Sequence, residues 1–494
     1  MTSRQRRLAV GVMLATLCTS LLQALPATAG TPTIDRRPVS PGIVLAAADW
    51  DRIRADPSLA ASPSKEMVPL LPRRGIAAVA RESRLNAARM EANGPRTAAM
   101  PLAPPPIRES PDPKALADCF TPAAERSGGH ILNRFVFCQR IKAEMPVDVF
   151  QNGRVVRLGT TKFTYELITQ GDNHQRRTRM FGRIQKGSVR HEGTFAWRVV
   201  APAWPFYLVG RCEQSGVACP VAHAPVVLPF RQWDDETVWW KWDTINQAGN
   251  AEGRDRITLH DAWLEFGSAI SGGIVTRPGH SAPRIVRCDS ADYFRLGGGH
   301  YEAACVFAET TPRLTWEIGK APHAEVALHI ANAQDFPNAT WPRLVPDGQP
   351  PPRDKIIPGK YKPGDPDAPG LHRIRTEQSG TIPPDPEHRR NGERKTGACY
   401  GEGPYAAEYF GLGLPVPPRP GEQCDEYPPA STLEGADHPE YDFSVRAVLT
   451  DGNSRAGIAL RDYYVHDRML LWDVSLPLER NDRFYFEILT QRPH

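Results

Sequence analysis

The sequence predicts two folded regions of different class, an all-β, sandwich-like domain over residues 115–345 and an α+β domain over residues 372–494. Three observations carry this. Between 115 and 345 short runs alternate apolar and polar residues and are punctuated by turn signals, the pattern of half-buried antiparallel strands. Residues 346–371 then bring eight prolines together with glycines and charges, a composition that makes an extended, semi-rigid spacer. Beyond it, helix-compatible stretches and short strands mix around one pair of cysteines. At 494 residues the chain exceeds what one hydrophobic core supports, so more than one folded unit is expected.

The beginning reads as a signal for export. Arg4, Arg6 and Arg7 precede an apolar stretch from Leu8 to Leu25, and Pro26-Ala27-Thr28-Ala29 supplies the small residues of a cleavage site, so residues 1–29 are expected to be removed. Thr16, Thr19, Ser20 and Gln23 interrupt the apolar run, which speaks against a membrane anchor, and no stable membrane insertion is expected after cleavage. Removal takes away three arginines and no acid, lowering the formal net charge from +4 to +1. A polycation that binds nucleic acid through its global field is thereby excluded; such binding would need a local basic patch. Residues 30–114, rich in Ala, Pro and Arg, lack a sustained apolar period and are expected to form a disordered leader.

Within 115–345, Phe163, Tyr165 and Leu167 alternate with polar residues, as do Phe195, Trp197 and Val199. Asn152-Gly153 lies between two apolar runs as a hairpin turn. Trp233, Trp239, Trp240 and Trp242 suit the core of a sandwich; a platform for cell-wall polysaccharide is the alternative. Nine cysteines become eight once Cys18 is lost, and an even count in an exported chain points to disulfides. Eight cysteines permit 105 connectivities. Their spacing as near neighbours favours sequential pairing: Cys119 with Cys138, Cys212 with Cys219, Cys288 with Cys305, and Cys399 with Cys424.

The chemistry concentrates in Cys424-Asp425-Glu426-Tyr427-Pro428-Pro429-Ala430-Ser431-Thr432, followed by Glu434-Gly435. Adjacent carboxylates in a proline-stiffened turn, with a third nine positions after the first, can collect negative charge for a hard divalent cation, Mg²⁺ or Mn²⁺. Downstream stand Ser444-Val445-Arg446, then Asn453-Ser454-Arg455-Ala456-Gly457, and a closing strand around Asp482 to Ile488. This run closely resembles the signature of the NucA/NucB deoxyribonucleases, small secreted metal-dependent endonucleases, over about the last 120 residues. The resemblance implies a nuclease domain with DNA as substrate, and Arg389-Arg390-Asn391, ahead of Cys399, resembles the Arg/Asn helix of that family.

On this reading Asp425 and Glu434 are the expected metal ligands and catalytic carboxylates, with Glu426 a third. Arg389, Asn391, Arg446 and Asn453 are expected to meet the substrate, guanidinium groups capturing phosphate. Asn453 also suits the cap of a helix from Ala456 to Met469. A general base would be a histidine, yet His372, His388, His438 and His466 all qualify and no motif selects one. Here Gly452 precedes Asn453 where relatives often carry an acid, and Pro429 replaces an apolar residue. The expected function is a secreted, extracellular DNA endonuclease. A non-catalytic surface or matrix-binding protein with a degenerate nuclease-like domain, or a nuclease toxin, is the alternative.

Overall fold

A computed structural model describes residues 109–489, apart from 112, 127, 152–153, 215–216, 250, 269–273, 276–277, 321, 347 and 378–382. The export signal, nearly all of the leader and the Asn152-Gly153 turn lie outside the described residues.

The β-rich region holds two antiparallel sheets of eight and seven strands. Val136–Gln151 and Arg154–Gly171 form the long central pair of the first, their register closing at Gln151 opposite Arg154. Pro205–Gln214 and Thr258–Ser268 are the centre of the second. The predicted alternation buries Phe163, Tyr165 and Leu167. The Phe163 ring meets Phe206 and Phe266 of the opposite sheet at 5.0 and 5.3 Å between centroids, so one core serves both sheets. Trp233 and Trp242 are fully buried within it. One segment departs from the expected strands: Phe195–Val200 is a short helix, because the Thr194 hydroxyl accepts from the Trp197 N–H and caps it. All four cysteine pairs are the sequential ones.

The C-terminal α/β region starts earlier than composition suggests. Strand β1 (Arg313–Glu317) and helix α1 (Ala324–Asp335) were expected to belong to the β-rich stretch. Instead β1 pairs in parallel with the last strand, β4 (Tyr485–Leu489). Between them in sequence come helix α2 (Pro386–Tyr400), the antiparallel strands β2 (Glu422–Tyr427) and β3 (Ser444–Leu449), and helix α3 (Thr450–His466). Helix α1 covers one face of the β2–β3 pair, where Val326, Ile330, Tyr427, Val448, Tyr463 and Phe486 share a core. Helix α2 covers the other, tied by the Cys399–Cys424 disulfide and packed around Val445 and Phe443.

Residues 346–371 are not an extended spacer. Lys355 is buried and donates to the Thr340 hydroxyl and the Pro342 carbonyl, Tyr361 N–H donates to the Phe486 carbonyl, and Leu371, also buried, exchanges backbone hydrogen bonds with Phe484. Proline removes donors and fixes φ, yet N–H groups between the prolines find partners on Asn338, Asp442, Phe484 and Phe486, so the segment packs along the domain it was expected to separate. A seam of buried charge joins the two regions. Arg468 donates to Asp289 at 2.6 Å, and Asp482 accepts from Arg134 at 3.1 Å and from Arg287.

Candidate active site

Asp425 and Glu426 are neighbours in a strand, and side chains of successive strand residues point to opposite faces. The two carboxylates therefore diverge. Asp425 faces α1 and its Oδ2 accepts from His329 Nδ1 at 2.6 Å. Glu426 faces α2, where Lys395 Nζ lies 3.3 Å away and is held protonated above its ordinary range chiefly by that carboxylate. The expectation that adjacent carboxylates converge on one point thus fails on the geometry of the strand that carries them.

His329 was not singled out in the sequence. It lies on the buried face of α1, between Val326 and Ile330, and its second nitrogen, Nε2, accepts from the Ser444 hydroxyl at 2.8 Å. A carboxylate can only accept, so Nδ1 carries the proton, and both ring nitrogens are satisfied. The available signal was a lone histidine in a helical apolar period inside a stretch otherwise patterned as strands. Across the strand pair from Asp425 stands Arg446, half-buried and without an ion pair among the described residues.

Glu434 occupies a different environment. The segment 372–374 runs beside 431–433: Leu433 N–H donates to the His372 carbonyl and Ile374 N–H to that of Ser431. This brings the His372 backbone N–H to Glu434 Oε2 at 2.8 Å and His372 Nδ1 to Oε1 at 2.5 Å. Both oxygens of Glu434 are used by one residue. The remaining ring nitrogen of His372, Nε2, is buried and has no hydrogen-bond partner among the described residues. Trp472 packs edge-on against the ring, 5.0 Å between centroids.

Of the residues expected to meet a substrate, Asn391 is taken up internally. It is 1% exposed, and its amide donates to the carbonyls of Ala430 and Thr432 while its oxygen accepts from Asp437 N–H. A Cβ on Gly435 would sit 2.3 Å from that amide, which is why glycine follows Glu434. Asn391 shapes the loop between Asp425 and Glu434 rather than facing outward. Arg390 and Arg394 converge on Asp437, whose carboxyl stays below the usual range because their hydrogen bonds outweigh the effect of burial. Arg389 points to solvent and pairs with Glu393 at 3.0 Å. Asn453 is no cap: α3 begins three residues before it, and its amide donates to Gln423.

Among the other histidines, His388 is disfavoured as a cation chiefly by burial, His466 likewise, and His438 stacks on Tyr441 while accepting from Glu440 N–H. Among the described residues no three of His, Cys, Asp and Glu gather as a metal cage. Asp425 Oδ1 accepts no hydrogen bond among the described residues, whereas each oxygen of Glu434 already accepts one from His372. A hard oxygen of this kind suits Mg²⁺ or Mn²⁺, which keep several waters and take one or two carboxylates with substrate phosphate.

Residues 375–469, about a fifth of the chain, match the family model Deoxyribonuclease NucA/NucB. The chain matches no curated protein and no solved structure. His329 and His372 both precede the matched stretch.

Proposed function

From a NucA/NucB-type nuclease domain at residues 375–469, we propose that this chain is a secreted, divalent-metal-dependent endonuclease that hydrolyses phosphodiester bonds of DNA. The observation that carries the reading is Asp425, fixed by His329 on a disulfide-anchored strand with Arg446 across from it. A guanidinium beside a carboxylate receives a phosphate and leaves the carboxylate to act at the bond being broken.

In this reading Asp425 alone would hold the cation, and Glu434 would not. Bound there, a divalent ion supplies charge neutralisation at a non-bridging phosphate oxygen. The chain's own residues do the rest. His329 keeps Asp425 in one orientation, Ser444 keeps His329 in one tautomer, Arg446 aligns the phosphate, and Arg389 meets the flanking backbone. Secretion is supported by the amino-terminal sequence and by four disulfide pairs. Among the described residues no helix is long and apolar enough to cross a membrane.

The test is plasmid cleavage by the purified full chain. Nicking is expected with Mg²⁺ or Mn²⁺ and should stop with EDTA. Asp425→Asn, which changes charge and almost no volume, should lower the rate at least about a hundredfold, ~3 kcal/mol of transition-state stabilisation. Folded protein that cleaves with no divalent metal supplied in turn would end the reading.

A further inference from the structure

A hairpin of the β-rich region rests against helix α3. Its strands, Phe294–Leu296 and Gly299–Tyr301, pair antiparallel around a tip at Gly297 and Gly298. Val465 of α3 is buried with Phe294, and Leu296 and Tyr301 pack on the same cluster. Between hairpin and helix opens a cleft of about 440 Å³, lined by Arg295, Leu296, Gly297, Gly298, Gly299 and Arg461, two cations and no acid. Arg295 is exposed and makes no ion pair among the described residues. Arg461, also exposed, pairs with its neighbour Asp462 at 3.1 Å, and an exposed pair of this kind yields readily to a phosphate. Both tip glycines have left-handed φ, +58° and +82°, and a Cβ at either would meet nothing within 4 Å, so their backbone is open to a ligand.

The cleft lies along α3 from Asp425. Asn453, Gly457 and Arg461 follow one another at four-residue intervals and so share one ridge of the helix. Asn453 donates to Gln423, which lies on the same strand face as Asp425. Gly457 is exposed and a Cβ there would touch nothing, so the ridge is low between its two ends. Eight residues of helix separate Asn453 from Arg461 by about 12 Å. One strand of a duplex carries a phosphate every ~3.4 Å along the axis, so the span is that of about three or four phosphates.

We propose that the cleft between this hairpin and α3 binds a backbone phosphate of the DNA, about three or four nucleotides from the bond that is cut, so that the β-rich region supplies part of the substrate site. The inference rests on the nuclease reading above for the position of the cut. Arg295 and Arg461 meet the phosphate with guanidinium groups, and the glycine tip lets the strand approach the backbone closely.

The experiment is binding of a fluorescent DNA duplex to the full chain in EDTA, followed by anisotropy over a range of salt. Losing one phosphate contact makes the log–log salt slope shallower by about 0.9, which is about eightfold in affinity at about 0.1 M salt. Arg295→Gln combined with Arg461→Gln should show both changes. Arg295→Lys combined with Arg461→Lys should keep most of the affinity, because an ammonium still neutralises the phosphate. Arg198→Gln combined with Arg231→Gln removes two exposed arginines of the β-rich region outside the cleft and should show neither change. If the glutamine pair in the cleft binds with wild-type affinity and slope, or if the control pair weakens binding as much, the proposal is overturned while the nuclease reading, tested by plasmid cleavage, stands. A wild-type chain that binds DNA through these arginines but never cleaves overturns the nuclease reading and supports the phosphate site. If inorganic phosphate raises the melting temperature of the wild type but not of the glutamine pair, and the two bind DNA alike, the cleft takes a free anion and the proposal is overturned. Should the glutamine pair fail to fold, the single variants Arg295→Gln and Arg461→Gln carry the same test.

Discussion

Replacing Asp482 with asparagine should separate the effect of charge from that of shape at the seam between the β-rich and C-terminal regions. Asp482 accepts from Arg134 at 3.1 Å, from Arg287, and from the Leu470 N–H at 3.0 Å. Arg134 and Arg287 are both nearly inaccessible to water. Burial by itself would push the Asp482 carboxyl up, but the two guanidinium groups outweigh it and hold the group well below the usual carboxylate range. An asparagine must turn its NH₂ toward Arg134 or toward Arg287 and Leu470, and in either orientation at least one charge-assisted hydrogen bond is lost. Each such bond is worth about 1.5–3 kcal/mol, and a buried pair left with an uncompensated charge loses about 3–5 kcal/mol in all. Asp482→Asn should therefore cost about 3–5 kcal/mol in urea unfolding at neutral pH. Because the folded group is more acidic than the unfolded one, the wild-type contribution is complete above about pH 4 and is lost only as pH falls below that, so the two proteins should converge in acid. A loss under about 1 kcal/mol at neutral pH, at the level of an exposed ion pair, would refute the argument that this seam is a buried, energetically coupled interface.

Two further outcomes follow from the same packing. A fragment of residues 346–494 lacks β1, α1 and His329. It should show neither a cooperative unfolding transition nor cleavage, whereas the chain from 109 onward should show both; a folded, active fragment in circular dichroism and plasmid assays would contradict this. Asp467 is pushed up to about 6 by burial, only partly opposed by Arg134. A carboxyl raised in the folded state stabilises fully below its unfolded value near 4 and loses that contribution as pH rises through about 6, roughly 3 kcal/mol over the interval. Asp467→Asn should remove that slope from the stability profile, and an unchanged profile in thermal melts between pH 4 and 7 would count against it.

Periodicity was enough to read the all-β region and spacing to read the sequential cysteine pairs, because each is a local pattern with a local physical cause, while the stretch from Asp425 to Glu434 was read through its resemblance to the nuclease family. Phe163, Tyr165 and Leu167 show one face of a strand without help from anything distant. The same local view fails where a competing local interaction wins, as at Thr194, whose hydroxyl caps a helix under a strand-like alternation. It fails again at 346–371, where proline content signals stiffness but says nothing of the N–H groups that find partners on Asn338, Asp442, Phe484 and Phe486. Gly435 was visible as part of a motif, though its reason, the flush packing of Asn391, was not.

What the sequence alone determined is which residue types are present and where the strongly alternating strands, such as the one carrying Phe163, Tyr165 and Leu167, run. Tertiary structure decided the partners. Asp425 meets a histidine 96 positions earlier and Glu434 one 62 positions earlier, separations at which no periodicity operates. Strand alternation then sends Glu426 away from its neighbour. Whether a carboxylate can receive a cation or a histidine a proton depends on which lone pairs remain unclaimed, and only the folding of distant segments against one another claims them.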